Sequence, residues 1–192
     1  MKKITALFLL LAACCLSAWA QDNVFKPFGI KSGYMKTITY NGNNQMAVNQ
    51  LWFDDYGRME KSVTTVNMGP DMGTFDTTVI MVDDKTWMID DNGKSKELGG
   101  RPEVIFNKLT DKDKKDIKFK DLGTEEYKGK LCNKYYYEQK QLVKSKITAL
   151  VWEGLILKQT IKQTFGTSVI ELEELQENVK VPASTFAVPA SE

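Results

Sequence analysis

Residues 33–66, GYMKTITYNGNNQMAVNQLWFDDYGRMEKSVTTV, decide the fold class. Apolar and polar side chains alternate there with period two, the mark of strands that each cover one face. In the first run Tyr34, Ile38 and Tyr40 oppose Met35, Thr37 and Thr39. In the third run Met59, Lys61, Val63 and Thr65 oppose Arg58, Glu60, Ser62 and Thr64. NGNN (41–44) and DYG (55–57) carry the turn chemistry that joins these runs as hairpins.

The pattern continues outward. After a Gly- and Pro-bearing loop (67–75), DTTVIMVDD and KTWMIDD form another hairpin, and DNGK (91–94) ends it with an Asn-Gly turn. IKFKDLGTEEY, KLCNKYYYEQ, KSKITALVWE, GLILKQTIKQ and TSVIELEELQE supply further strands, and NVKVPASTFAVP reads as an extended tail. One helix is expected over RPEVIFNKLTDKDKKD (101–116). Pro102 and Glu103 suit its first turn, and Val104, Ile105, Lys108 and Leu109 form its stripe. About ten antiparallel strands with one or two short helices predict a mainly β fold, a strongly curved sheet or open half-barrel. One face meets water and the other needs a cover, which the helix from about Pro102 to Leu109 supplies as a lid.

The chain opens MKKITALFLLLAACCLSAWAQDN. Two lysines, a short apolar run and the small residues of AWA (18–20) predict a signal peptide over 1–20, cut before Gln21. A second reading stays open: LAAC (11–14) has a lipobox pattern, with Cys14 as the lipidated residue. Both place the protein outside the cytoplasm, with the periplasm as the expected location. Residues 21–192 then form one domain of a size that buries a real core. No other run approaches the ~20 apolar residues of a membrane helix.

Of 26 Lys and Arg, Lys2 and Lys3 belong to the leader, which leaves 24 against 25 Asp and Glu. A near-neutral chain with mixed signs gives no reason to expect nucleic acid as a partner. The dense charges of TDKDKKDIKFKD (110–121) alternate in sign and read as a solvated helix end and turn. The chain has no histidine. That excludes Ser-His-Asp and Cys-His catalysis and imidazole metal sites. The single cysteine beyond the leader, Cys132, excludes a multi-thiolate site.

Several motifs together resemble one family. YNGNNQMAVNQLWFDDYGRMEKSVT is similar to the first hairpins of periplasmic proteins related to LolA, the outer-membrane lipoprotein carrier, in a branch of unassigned function. GTEEYKGKLCNKYYYE resembles that branch's Gly-x-Glu-x-x-x-Gly-x-x-Cys-x-x-Tyr segment. VWEGLILKQT resembles its Trp-x-Gly strand pair, and VKVPASTFAVP the ending common to the superfamily. The resemblance spans about Lys31 to Pro189. It implies an open antiparallel barrel with a helical lid over a hydrophobic cavity, which in the carriers holds lipoprotein acyl chains. The carriers begin with a helix. Here Pro27 and Gly29 break the corresponding segment, which implies a shorter lid, and no carrier-specific binding residue maps onto this sequence.

Cys132 reads as a small strand residue, sharing a side with Lys130, Lys134, Tyr136 and Glu138, lysines that would lower its pKa somewhat. The doubled acids Asp54-Asp55, Asp83-Asp84 and Asp90-Asp91 sit at turns, where Asp bonds its own backbone. They have no calcium-loop signature. Seven methionines follow the leader, all before residue 90. An apolar cavity would draw on Tyr34, Met46, Trp52, Phe53, Met59, Met81, Trp87, Ile105 and Leu109. The expectation is a monomeric, non-enzymatic envelope protein without cofactor or metal that holds a lipid-like or acyl-chain ligand. The alternative is an envelope protein-protein interaction or sensor module with a filled core.

Overall fold

The computed structural model describes residues 25–190 except 70, 102, 103, 141 and 142. The expected signal peptide with its Cys14 alternative, and Pro102 and Glu103 at the expected helix start, lie outside the described residues.

Eleven strands follow the hairpin pattern: β1 (Gly33–Asn41), β2 (Asn44–Asp54), β3 (Met59–Asn67), β4 (Thr74–Val82), β5 (Lys85–Ile89), β6 (Ser95–Gly99), β7 (Lys120–Tyr127), β8 (Lys130–Lys140), β9 (Lys144–Trp152), β10 (Leu155–Gln163) and β11 (Gly166–Glu177). They make one curved antiparallel sheet in the order β6-β5-β4-β3-β2-β1-β11-β10-β9-β8-β7. Every strand pairs with its neighbour in sequence except at one place. β6 and β7 are the two opposite edges, and β1 and β11 close the chain on itself in the middle. This is the open half-barrel that the sequence predicted.

The topology dictates the cover. The chain between β6 and β7 must cross from one edge to the other, and its described residues do so over the face that carries Met35, Leu51, Met81 and Ile147, here called the inner face. The predicted helix over 101–116 does not form as a unit. Ile105 and Leu109 are extended (ψ 97° and 116°), and Phe106–Lys108 makes a single 3-10 turn. Helix α1 is confined to Asp111–Asp116. The cause is local. Thr110 and Asp113 form a reciprocal capping box, which starts a new helix at 111 and leaves Leu109 extended in front of it. Phe106 meanwhile stacks on Tyr135 (5.2 Å) and meets Tyr137 edge-on (5.8 Å). The cover is therefore a strap with a short helix at its far end, and Val104, Phe106, Ile117 and Phe119 pack on the Tyr137, Ile147, Ala149 and Val151 cluster.

Two terminal arms complete the body. Residues 25–32 close one end of the half-barrel, where Phe28 N–H donates to the Tyr56 carbonyl and Gly29 N–H to that of Glu153. The arm sits so close that a Cβ on Gly57 would lie 2.5 Å from the Phe28 ring, and one on Gly154 2.3 Å from the Pro27 carbonyl oxygen. Both glycines also hold φ near 81°, a left-handed conformation that side chains resist. At the other terminus the chain crosses the outer face. Ser32 hydroxyl donates to the Val179 carbonyl, and Ser95 hydroxyl to that of Pro189. Between them the 3-10 turn Ala183–Phe186 packs on β3 and β4, with Val181 and Phe186 buried. The sheet thus has apolar side chains on both faces of β1–β5, because both faces are covered.

Phe186→Ala removes a ring that is 4% exposed. It should lower the unfolding free energy by about 3 kcal/mol or more in urea denaturation. A loss below about 1 kcal/mol, the scale of an ordinary surface change, would show that the tail only lies against the sheet.

Candidate functional site

Under the strap lies a cavity of about 260 Å³. Its floor is the inner face of β1–β4, β10 and β11. Met35, Leu51, Met81, Leu155, Ile156 and Ile170 supply apolar walls. Val104 and Ile105 of the strap form the roof, and Pro27 and Phe28 of the N-terminal arm close one end. The remaining lining is polar: Thr37, Asn49, Ser62 and Gln159, with Glu60 and Arg101.

The two charged residues neutralise each other. Arg101 and Glu60 are paired, with side chains 5% and 6% exposed. Arg101 also donates from Nη2 to the carbonyls of Gly57 (2.8 Å) and Arg58 (2.9 Å), and from Nε to that of Asp83 (2.5 Å). These bonds fix the start of the strap to the β2–β3 and β4–β5 turns. The planar, five-donor guanidinium is the side chain suited to several acceptors at once.

A second polar fastening holds the strap's far end. Glu138 N–H donates to the Ile117 carbonyl (2.6 Å). The Glu138 carboxylate, 9% exposed, meets Lys118 (3.0 Å) and Lys144 (3.2 Å) and accepts from the Tyr136 hydroxyl (3.0 Å). The Lys118 ammonium, helped by Lys144 and Tyr136, holds this carboxyl at about 2 against the opposing effect of burial. Between the fastenings the strap makes mainly apolar contacts, and Asn107 Nδ2 donates to the Lys26 carbonyl (2.8 Å), tying strap to arm.

The nine side chains expected from sequence to line a cavity separate in space. Met81 and Ile105 line it. Phe53 is fully buried beside it, edge-on to Phe28 at 5.0 Å. Leu109 is half-buried on the strap and outside the lining. Tyr34 and Trp52 are cross-strand partners on the outer face, with rings 5.3 Å apart, in a groove under the C-terminal tail. Register places Met59 and Trp87 on that outer face too, since Lys61, Ile80 and Trp87 lie opposite one another. Met46 lies at the open end of the hairpins, 38% exposed. Sequence reading passed over Thr37, Asn49, Ser62 and Gln159. The signal that could have found them is the alternation itself, which sets Thr37 on the side of Met35 and Asn49 on the side of Leu51.

Cys132 is fully buried in a cluster with Leu150, Leu155, Leu157 and Leu172. Burial, with a smaller contribution from Glu125, pushes its thiol up, against the lowering expected from the neighbouring lysines. Lys130 is engaged elsewhere, with Glu177 and over the Trp152 ring, and Lys134 pairs with Glu125. A thiol so placed is a packing group.

No protein-family profile and no characterised protein matches the chain in sequence. Solved structures match its fold. A conserved protein of Thermus thermophilus superposes with a TM-score of 0.53 at 7% identity, over 84% of this chain and 87% of its own. A chain of the Pseudomonas aeruginosa MucA/MucB complex gives 0.47 at 10% identity, over 82% of this chain. This protein spans little more than half, 56%, of that chain's length. LprF from Mycobacterium bovis gives 0.37 at 14% identity, over 80% of this chain and 89% of its own. At these identities the likeness is one of fold.

Glu138 has a folded-state value of about 2 against an ordinary 4.5. A carboxylate shifted downward contributes stability above the higher value and loses it as pH falls through the lower one. The Glu138→Gln variant should be less stable than wild type at pH 7, and the gap should close between pH 4.5 and about 2 in denaturation curves. A gap that stays constant across that window would rule out the carboxylate as the fastening.

Proposed function

We propose that this chain is a non-enzymatic protein of the bacterial envelope that holds a lipid-like ligand by an alkyl chain between the inner face and the strap. The observation that carries the reading is the cavity, with its floor of Met35, Leu51, Met81 and Ile170 and its roof of Val104 and Ile105. Apolar burial is the driving force, near 0.8 kcal/mol per methylene. About 260 Å³ is below the ~300–1,000 Å³ of ordinary small-molecule sites. The cavity therefore suits a chain of medium length. A longer one has to run on along the half-buried inner face, past Thr39, Ala47 and Ile161. The leader supports an exported location. The buried Cys132 and the lack of histidine support a binding role over catalysis.

The test is native mass spectrometry of a chain beginning at Gln21, incubated with medium- and long-chain lipids. The expected result is an adduct of a few hundred daltons that denaturation removes. Ile105→Trp, which fills the roof of the cavity from the strap, should reduce uptake at least about tenfold, since each methylene excluded is worth several-fold in affinity. Wild-type protein that takes up no lipid of any class would sink the reading.

A further inference from the structure

The polar half of the cavity has a chemistry of its own. Thr37 is 95% buried, its side chain lines the cavity, and its hydroxyl has no hydrogen-bond partner among the described residues. Ser62 lies in the same lining and its hydroxyl is likewise unpartnered among them. Asn49 and Gln159 are each satisfied on one side only. Asn49 Oδ1 accepts from Thr64 (2.9 Å), which leaves its amide N–H groups. Gln159 Nε2 donates to the Tyr137 hydroxyl (2.8 Å), which leaves its oxygen. Polar side chains that line a cavity are open to a polar group that enters it.

None of these four side chains carries charge. The one cation in the lining among the described residues, Arg101, has four hydrogen bonds to Glu60 and to three carbonyls, out of five N–H groups in all. A carboxylate or phosphate brought in here would find no free countercharge and would lie beside the Glu60 carboxylate. Farther along the inner face the register adds Thr39, Ala47, Thr64, Thr77, Ile161 and Ser168, all uncharged.

We infer that the cavity selects a neutral amphiphile, an alkyl chain joined to an uncharged group rich in hydroxyl and ester oxygens such as an acylglycerol, and that Thr37 and Ser62 read that junction. The inference rests on the lipid-holding reading above and narrows it. The chain lies under Val104 and Ile105 while the neutral head faces Thr37, Asn49, Ser62 and Gln159. Side chains that donate and side chains that accept are both present, which fits glycerol hydroxyls and an ester carbonyl, whereas an acceptor-only anion can use the donors alone.

The experiment compares 1-monodecanoylglycerol with decanoate at pH 8 by isothermal titration calorimetry, on the chain beginning at Gln21. Monodecanoylglycerol is expected to bind at least about tenfold more tightly, because an anion has to be desolvated beside the Glu60 carboxylate without a free countercharge. Thr37→Val, which keeps shape and removes the hydroxyl, should weaken monodecanoylglycerol about fivefold and leave decanoate unchanged. Ser62→Ala, on a half-buried residue, repeats the test if Thr37→Val lowers the thermal midpoint. Decanoate binding as tightly as monodecanoylglycerol overturns the inference and leaves the lipid-holding reading intact. So does a preference that both variants retain. Binding of neither ligand overturns the inference, and the lipid-holding reading then stands or falls by the uptake of medium- and long-chain lipids in native mass spectrometry.

Discussion

The Arg101–Glu60 pair is the contact on which the rest of the binding region depends. Two charges held at about 5% exposure are expensive to desolvate, and an apolar pair of similar volume would often be as stable. What the pair supplies is position. Its guanidinium joins the β2–β3 turn, the β4–β5 turn and β3 to the first residue of the strap that the structure secures. The strap then has a fixed starting point and a fixed direction across the inner face. With Glu138 and its two lysines at the far end, a chain segment of little regular structure is held at both ends by charge and in the middle by rings. The cavity is the space such a strap leaves when its roof is made of Val104 and Ile105 rather than of larger side chains.

Much of the sheet was legible because period two and turn chemistry are local. The NGNN, DYG and DNGK turns fall where β1–β2, β2–β3 and β5–β6 change direction. The helix was misread because Val104, Ile105, Lys108 and Leu109 fit a helical stripe as well as they fit an extended strap. The deciding feature was the Thr110–Asp113 capping box a few residues farther on. The choice of cavity residues mixed faces for a different reason. Trp52 and Phe53 are adjacent in sequence and cannot face the same way, yet both are apolar. A pattern of this kind states that two faces are covered and leaves open which element covers each. That the C-terminal tail would occupy the outer face of β1–β5 depends on contacts across most of the chain's length.

Polar residues misled in the opposite sense. Thr37, Asn49 and Ser62 have side chains that suit a water-facing side of a strand as well as a covered one. Their register with Met35, Leu51 and Glu60 makes them inner-face residues, and the strap makes them buried or half-buried. Arg101 gave no local signal at all, since its partner Glu60 is remote in sequence and looks like one charge among many in RMEKS. Chemistry assembled from distant residues is where a one-dimensional pattern has least to say.

The order of strands carries a consequence in time. The middle of the sheet is the pairing of its first and last strands, with Gly33 across from Glu177 and Asn41 across from Ser168. A chain delivered N-terminus first from a ribosome can make the β1–β6 hairpins early but cannot join the two halves until β11 has emerged. Closing a loop of that length has to precede the reward of the contacts it allows, and such topologies fold slowly. Until then the apolar inner faces of two half-sheets stay uncovered, and the tail that buries Phe186 arrives last of all. The same arrangement that makes the finished half-barrel seamless at its centre keeps the growing chain loose until its synthesis is nearly complete.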